Sequence, residues 1–154
     1  MTPRVECVPL CEADVPAAAR LEASVPDGWS AQGIRGALRS PAARCFVLRE
    51  DGKVFAFAAF TLAADEANLD ALSVAKTARR RGFATRLLHT ALATLHEAGA
   101  RACYLEVRQS NLPAQALYEK LGFIQIGIRR AFYTNPSEDA ILYKKELPGA
   151  GACL

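Results

Sequence analysis

A strand-like run ends at Leu72-Ser73-Val74, and Arg79-Arg80-Arg81-Gly82-Phe83-Ala84-Thr85 follows shortly after. The apolar spacing then becomes helical. Three arginines thus stand directly before small residues at a helix start. The first N–H groups of a helix have no internal partner and lie at the positive end of its dipole. Such an end binds phosphate when the backbone is left open, as Gly82 and Ala84 leave it. Guanidinium groups meet phosphate oxygens in a fork, so Arg79, Arg80 and Arg81 suit a diphosphate. The chain holds neither G-x-x-x-x-G-K-[ST] nor G-x-G-x-x-G, which sets aside a P-loop and a dinucleotide fingerprint. Taken alone, the segment is equally a solvated basic turn before an ordinary helix.

Residues further on add chemistry. Glu106 lies between Leu105 and Val107. It is either an outward-facing strand residue or a general base beside a cleft. Asn111 is sufficiently explained as a helix N-cap. Tyr118 is a core aromatic with its hydroxyl at the surface, or a proton donor with an unperturbed pKa of about 10. Trp29, Phe132 and Tyr133 are candidates to line an acceptor groove, with core or surface aromatics as the alternative. The five cysteines, Cys7, Cys11, Cys45, Cys103 and Cys153, form no C-x-x-C pair and read as reduced thiols of a cytoplasmic protein. His89 and His96 lack the closer spacing and third ligand of a metal site. No metal is expected.

Composition narrows the classes. A net charge of +3 over 154 residues does not mark a nucleic-acid binder. The longest uncharged apolar run, Val54 to Ala64, is 11 residues and reads as a buried strand. A bilayer span needs roughly 20. The first residues lack the basic-then-apolar pattern of a signal peptide. With 51% hydrophobic residues, positions 1–147 can form one domain with its own core, and 148–154 read as a flexible tail.

The elements that must position these residues follow from periodicity. Val5 to Pro9 reads as a strand. Asp14 is expected to cap a helix with Pro16 in its first turn and Ala17, Leu21 and Val25 on one stripe. Ser30 caps a second helix through Leu38. Arg44 to Glu50 and Lys53 to Leu62 flank Asp51-Gly52, a strong hairpin signal. Asn68 to Val74 is the next strand. Gly82 to Ala98 carries Leu87, Leu88, Ala91, Leu92 and Leu95 at helical spacing, and Gly99 ends it. Ala102 to Val107 is a strand. Asn111 caps a helix with Ala116, Leu117 and Leu121 facing inward. Phe123 to Ile128 and Ala140 to Glu146 close the chain. The order β-α-α-β-β-β-α-β-α-β-β, with one right-handed parallel crossover, predicts an α/β fold. Its mixed, mostly antiparallel sheet carries helices on both faces.

The stretch Leu72 to Phe123 resembles the acetyl-CoA core of the GNAT family of N-acetyltransferases. Arg79-Arg80-Arg81-Gly82-Phe83-Ala84 matches the family's [QR]-x-x-G-x-[GA]. Asn111 through Phe123 is similar to its N-x-x-[AI]-x-x-L-Y-x-x-x-G-F. Asp65-Glu66-Ala67-Asn68-Leu69, Leu105 to Asn111, Ile128-Arg129-Arg130 and Glu138-Asp139-Ala140 resemble the RimI branch, whose members acetylate the N-terminal alanine of a ribosomal protein. The resemblance implies acetyl-CoA as co-substrate and direct attack by an amine on its thioester. It implies Glu106 as general base and Tyr118 as general acid. It implies that the backbone of Leu72, Ser73 and Val74 holds the acetyl and pantetheine portion. Arg79 with Arg80 to Thr85 would hold the pyrophosphate, and Asn111 the cofactor's arm. Arg129 to Glu138 would be a loop covering the acceptor. The implied partner is a protein N-terminus. A small amine, an amino acid or a lysine side chain is the alternative, and a coenzyme A-binding module without turnover is a remoter one. No nucleic-acid or membrane partner is implied.

Overall fold

A computed structural model describes residues 2–147; the tail expected over 148–154 lies outside the described residues. The strands are β1 Val5–Pro9, β2 Ala43–Glu50, β3 Lys53–Ala63, β4 Glu66–Val74, β5 Ala102–Arg108, β6 Ile124–Tyr133 and β7 Glu138–Glu146. The helices are α1 Val15–Glu22, α2 Ala31–Arg39, α3 Phe83–Glu97 and α4 Leu112–Lys120. Asp51 and Gly52 both take positive φ (51° and 83°), the conformation of a tight two-residue hairpin. Ser30 Oγ accepts from the Gly33 N–H at 3.1 Å and starts α2.

The strands form one seven-stranded sheet in the order β1-β2-β3-β4-β5-β7-β6. Only β4 and β5 are parallel, joined by the α3 crossover. Period-2 alternation divides the core. Phe46, Leu48, Ala58, Phe60, Leu105 and Val107 pack with α3 and α4 on one face. Cys45, Val47, Phe57 and Ala59 pack with α1 and α2 on the other. Among the described residues, no helix is long and apolar enough to cross a membrane.

Two features of β4 make the cleft. First, Ala59 pairs with Ala71 but Phe60 pairs with Leu69, so Asp70 is an extra residue in a β-bulge. Leu69 and Leu72, three apart, therefore both meet the α3 face of the core. Second, the ladder to β5 covers only Glu66–Leu69 against Ala102–Leu105. Beyond Leu69 and Leu105 the two strands part.

Several local expectations are corrected. Asp14 makes no side-chain cap to α1. Its carboxylate accepts from the Cys11 N–H at 3.0 Å and from Arg49 at 2.7 and 3.1 Å. The fully buried residues of α1 are Val15, Ala18 and Glu22; of the expected stripe, Leu21 packs half-buried on the same core and Val25 lies beyond the helix. Ala116 is exposed, and Tyr118 takes the inward position on α4. His96 is half-buried, its Nδ1 3.0 Å from the Ala100 carbonyl oxygen. Half of the loop expected at Arg129 to Glu138 is strand. Backbone pairing of Arg129 with Ala140 and Tyr133 with Glu138 extends β6 across a bulge, where Ala131 has φ 52°.

Candidate active site

The opening between β4 and β5 leads into a cleft of about 610 Å³. Leu69 to Leu72 and Arg79 line one side, and Glu106 to Arg108, Ser110, Asn111, Pro113, Ala114 and Tyr118 the other. Residues 24–27 and Tyr133 close it at one end. Alternation along β5 sends Leu105 and Val107 into the α3 face, which puts Glu106 and Arg108 on the α1 side. Tyr118 reaches the same cleft from the α3 side. The carboxylate and the phenol thus approach one gap from opposite faces of the sheet.

Tyr118 is 7% exposed and stacks edgewise on Phe123, with centroids 5.8 Å apart. Burial pushes its phenol well above the ordinary tyrosine range, so it remains protonated at neutral pH. Burial likewise raises the Cys45 thiol to about 11 and the Cys103 thiol to about 12, which leaves both protonated and poorly reactive.

Of the basic segment only Arg79 lines this cleft, and Arg80 to Thr85 lie outside its lining. There α3 begins at Gly82 in the left-handed region (φ 73°, ψ 18°), with no side chain capping it. A Cβ built on Gly82 would find no atom within 4 Å, so space lies open before the helix terminus. Arg80 is also left-handed, with φ 68°. Phe83 is buried against Phe55. Arg81 is forked onto Glu50, Nη1 to Oε1 at 2.9 Å, and its Cζ lies 4.5 Å from the Phe83 ring centroid. Arg79 and Arg80 make no ion pair among the described residues. Ala84 and Thr85 are half-buried in the first turn of α3. On β4 beyond the parallel ladder, Ser73 is buried and its hydroxyl oxygen has no partner. Asn111 Oδ1 accepts from the Ala114 N–H at 3.2 Å and caps α4. An uncapped helix start, open space before it and two unpaired guanidiniums together fit the acidic end of a ligand such as acetyl-CoA.

A second cluster was not singled out from the sequence. Arg108 pairs with Asp27 through Nε at 2.8 Å and Nη2 at 3.0 Å, and with Glu138 through Nη1 at 3.2 Å. Its Cζ lies 4.4 Å from the Tyr133 ring centroid. Glu138 also accepts from the Ser110 N–H, and its carboxyl is held below the ordinary range chiefly by the Ser110 side chain, with the Ser110 N–H and Arg108 adding to it. The available signal was an arginine two residues after Glu106 on an otherwise apolar strand. Of the three aromatics considered for an acceptor groove, Tyr133 lines the cleft. Trp29 instead packs on Phe57 and lines a separate groove beside α2. Phe132 is exposed and stands edgewise on Tyr133. Among the described residues, no three His, Cys, Asp or Glu side chains are grouped to hold a metal ion.

This fold and cleft define an acyltransferase of the GNAT class, and the chain belongs to that family: the acetyltransferase (GNAT) family model matches residues 12–123. It is an acetyl-CoA-dependent N-acetyltransferase. Within the family its similarity is to the RimI type. The [ribosomal protein bS18]-alanine N-acetyltransferase of Escherichia coli (strain K12) is 41% identical over 99 residues, 63% of this chain and 67% of that one. The crystal structure of the ribosomal-protein-S18-alanine N-acetyltransferase from Escherichia coli has a TM-score of 0.84 and 34% identity, covering 98% of this chain and 99% of that one. Ard1 from Thermoplasma volcanium shares the fold, with a TM-score of 0.86 at 20% identity over 94% of this chain and 98% of that one.

Proposed function

We propose that the chain acetylates the N-terminal α-amine of a protein, with a ribosomal protein of the bS18 type as the substrate class. The observation that carries this is Glu106 and Tyr118 lining one cleft from opposite faces of the sheet. In this reading Glu106 is the general base. It accepts the proton that the attacking amine must lose, directly or through a water. Tyr118 is the general acid. Its buried phenol keeps its proton until the leaving sulfur needs one.

The remaining assignments follow the same division. Arg79, Arg80 and the open backbone from Gly82 to Thr85 hold the pyrophosphate. Arg81 orders that loop through Glu50 and Phe83, adding positive potential. In this reading the backbone of Leu72, Ser73 and Val74, on β4 beyond its ladder to β5, holds the acetyl and pantetheine end. Asn111 fixes the start of α4 beside the cofactor's arm. Bound acetyl-CoA supplies an activated thioester, so no protein nucleophile is needed. Residues 1–147 form the catalytic unit.

An α-amine with a pKa of about 7.7–8.0 is already partly neutral at pH 7. A lysine acceptor, at about 10.4, asks roughly 3–4 kcal/mol more of the base. Thiol release from acetyl-CoA measured with matched peptides tests the acceptor. Peptides with a free N-terminal alanine should react, and the same peptides with a blocked N-terminus should not. Turnover only on internal lysine, or only on small amines, would overturn the α-amine reading and leave the transferase intact.

A further inference from the structure

Arg108 is 7% exposed, yet it carries no role in the chemistry proposed above. A guanidinium has five N–H donors. Here all five have acceptors: the two Asp27 oxygens, Glu138 Oε1, the Pro136 carbonyl at 3.0 Å and the Thr134 carbonyl at 2.9 Å. These acceptors belong to two segments distant in sequence. Asp27 is in the loop between α1 and α2. Thr134, Pro136 and Glu138 belong to the turn between β6 and β7 and the first residue of β7. The residue-27 loop lines the cleft together with Glu106, and so does Tyr133, which stacks on the guanidinium and leads directly into the β6–β7 turn. The pyrophosphate loop and the start of α3 make no contact in this network.

We infer that Arg108 is a positioning residue for the acceptor: it assembles the acceptor wall by locking the residue-27 loop and the β6–β7 turn together at a fixed distance from Glu106. The inference rests on the acceptor occupying this end of the cleft. Glu106 and Arg108 share a face of β5 two residues apart, so whatever Arg108 holds is registered to the base. Lysine would keep the charge, but a single ammonium with three donors cannot span two carboxylates and two carbonyls. Misplacement of a reacting group by about 1 Å costs on the order of a hundredfold. The loss should fall on the acceptor, because the cofactor's groups lie elsewhere.

The test uses the full chain, acetyl-CoA and a peptide with a free N-terminal alanine. Arg108→Lys and Asp27→Asn are each expected to raise the acceptor KM by roughly tenfold or more while acetyl-CoA affinity stays within about twofold. The double variant should be no worse than Arg108→Lys alone, because the pair acts as one unit. Asp27 has a half-exposed side chain, so its variant reads the clamp even where an Arg108 variant fails to fold. An unchanged acceptor KM in a folded variant would overturn the inference. So would parallel losses of acceptor and cofactor binding that track a lowered melting temperature. If wild type does not acetylate the peptide, the acceptor reading fails instead. Hydrogen exchange then decides the clamp. Arg108→Lys should speed exchange in residues 23–29 and 134–138 and leave residues 72–86 unchanged; uniform acceleration, or none, overturns it.

Discussion

Replacing Gly82 by alanine and by aspartate separates backbone from charge at the proposed pyrophosphate site. Gly82 has φ 73°, where an L-residue costs roughly 1–2 kcal/mol. A Cβ there meets no atom within 4 Å, so no clash adds to that cost. The left-handed geometry also denies aspartate the extended conformation in which a side chain caps a helix. Both variants should therefore lose about the same stability. They should differ in binding. A carboxylate about 5 Å from a phosphate, at an effective dielectric between that of a protein surface and water, is repelled by roughly 1–3 kcal/mol per phosphate charge. Two phosphates bring the penalty to at least about 2 kcal/mol, or roughly 30-fold in Kd. Calorimetry with acetyl-CoA should show Gly82→Asp weaker than Gly82→Ala by that factor, at matched melting temperatures. The gap should narrow as salt screens the charges. Equal affinities for the two variants would refute the placement of the pyrophosphate at this helix start.

Other perturbations read other parts of the site. Glu106→Gln and Tyr118→Phe should each lower kcat by roughly a hundredfold or more, with acetyl-CoA affinity nearly unchanged by calorimetry. Because burial raises the Tyr118 phenol, the wild-type rate should show no alkaline fall from this group below the ordinary tyrosine range. Arg80→Gly should raise stability by about 1 kcal/mol by relieving the left-handed arginine, seen in urea titration, and weaken acetyl-CoA binding by removing a cation. Asp14 is shielded from solvent, which by itself would raise its pKa, but bonds from Arg49 and Cys11 bring it below the ordinary value. Its contribution is full above the unfolded pKa of about 3.9 and is lost as pH falls through the lower folded value. Asp14→Asn should cost about 1–3 kcal/mol near neutrality, and the difference from wild type should close only in strong acid. A constant difference down to the acid transition would contradict that linkage.

The sequence was most readable where local chemistry decides structure. Ser30 and Asn111 cap helices, Asp51-Gly52 turns a hairpin, and Gly82 opens α3, all as their types dictate. The basic run and the helix start at Gly82 were legible because they form one continuous segment. The Arg108 cluster was not, because it is assembled across distance. Arg108 meets Asp27 from 81 residues away, and no local period announces that contact. Arg81 looked like part of a basic run until Glu50, 31 residues earlier, was found beside it. The family resemblance implied a loop from Arg129 onward, but ladder pairing with β7 depends on the partner strand and carries β6 on to Tyr133. Asp14 fits the cap pattern in sequence, and only the fold reveals the competing arginine.

The extra residue at Asp70 has a consequence for how this strand can be altered. A strand alternates with period two, so Leu69 and Leu72 share a face only because the extra residue lies between them. Deleting Asp70 would leave Leu69 and Ala71 as neighbours opposite Phe60 and Ala59, so Ala71 to Val74 would keep their facings and their partners on β3, and the bulge alone would be lost. One residue is encoded by one three-nucleotide codon, so such a deletion is a single in-frame event. Chain length at this one position is then a heritable difference between a β4 that runs regularly against β3 and one that bulges beside the gap to β5.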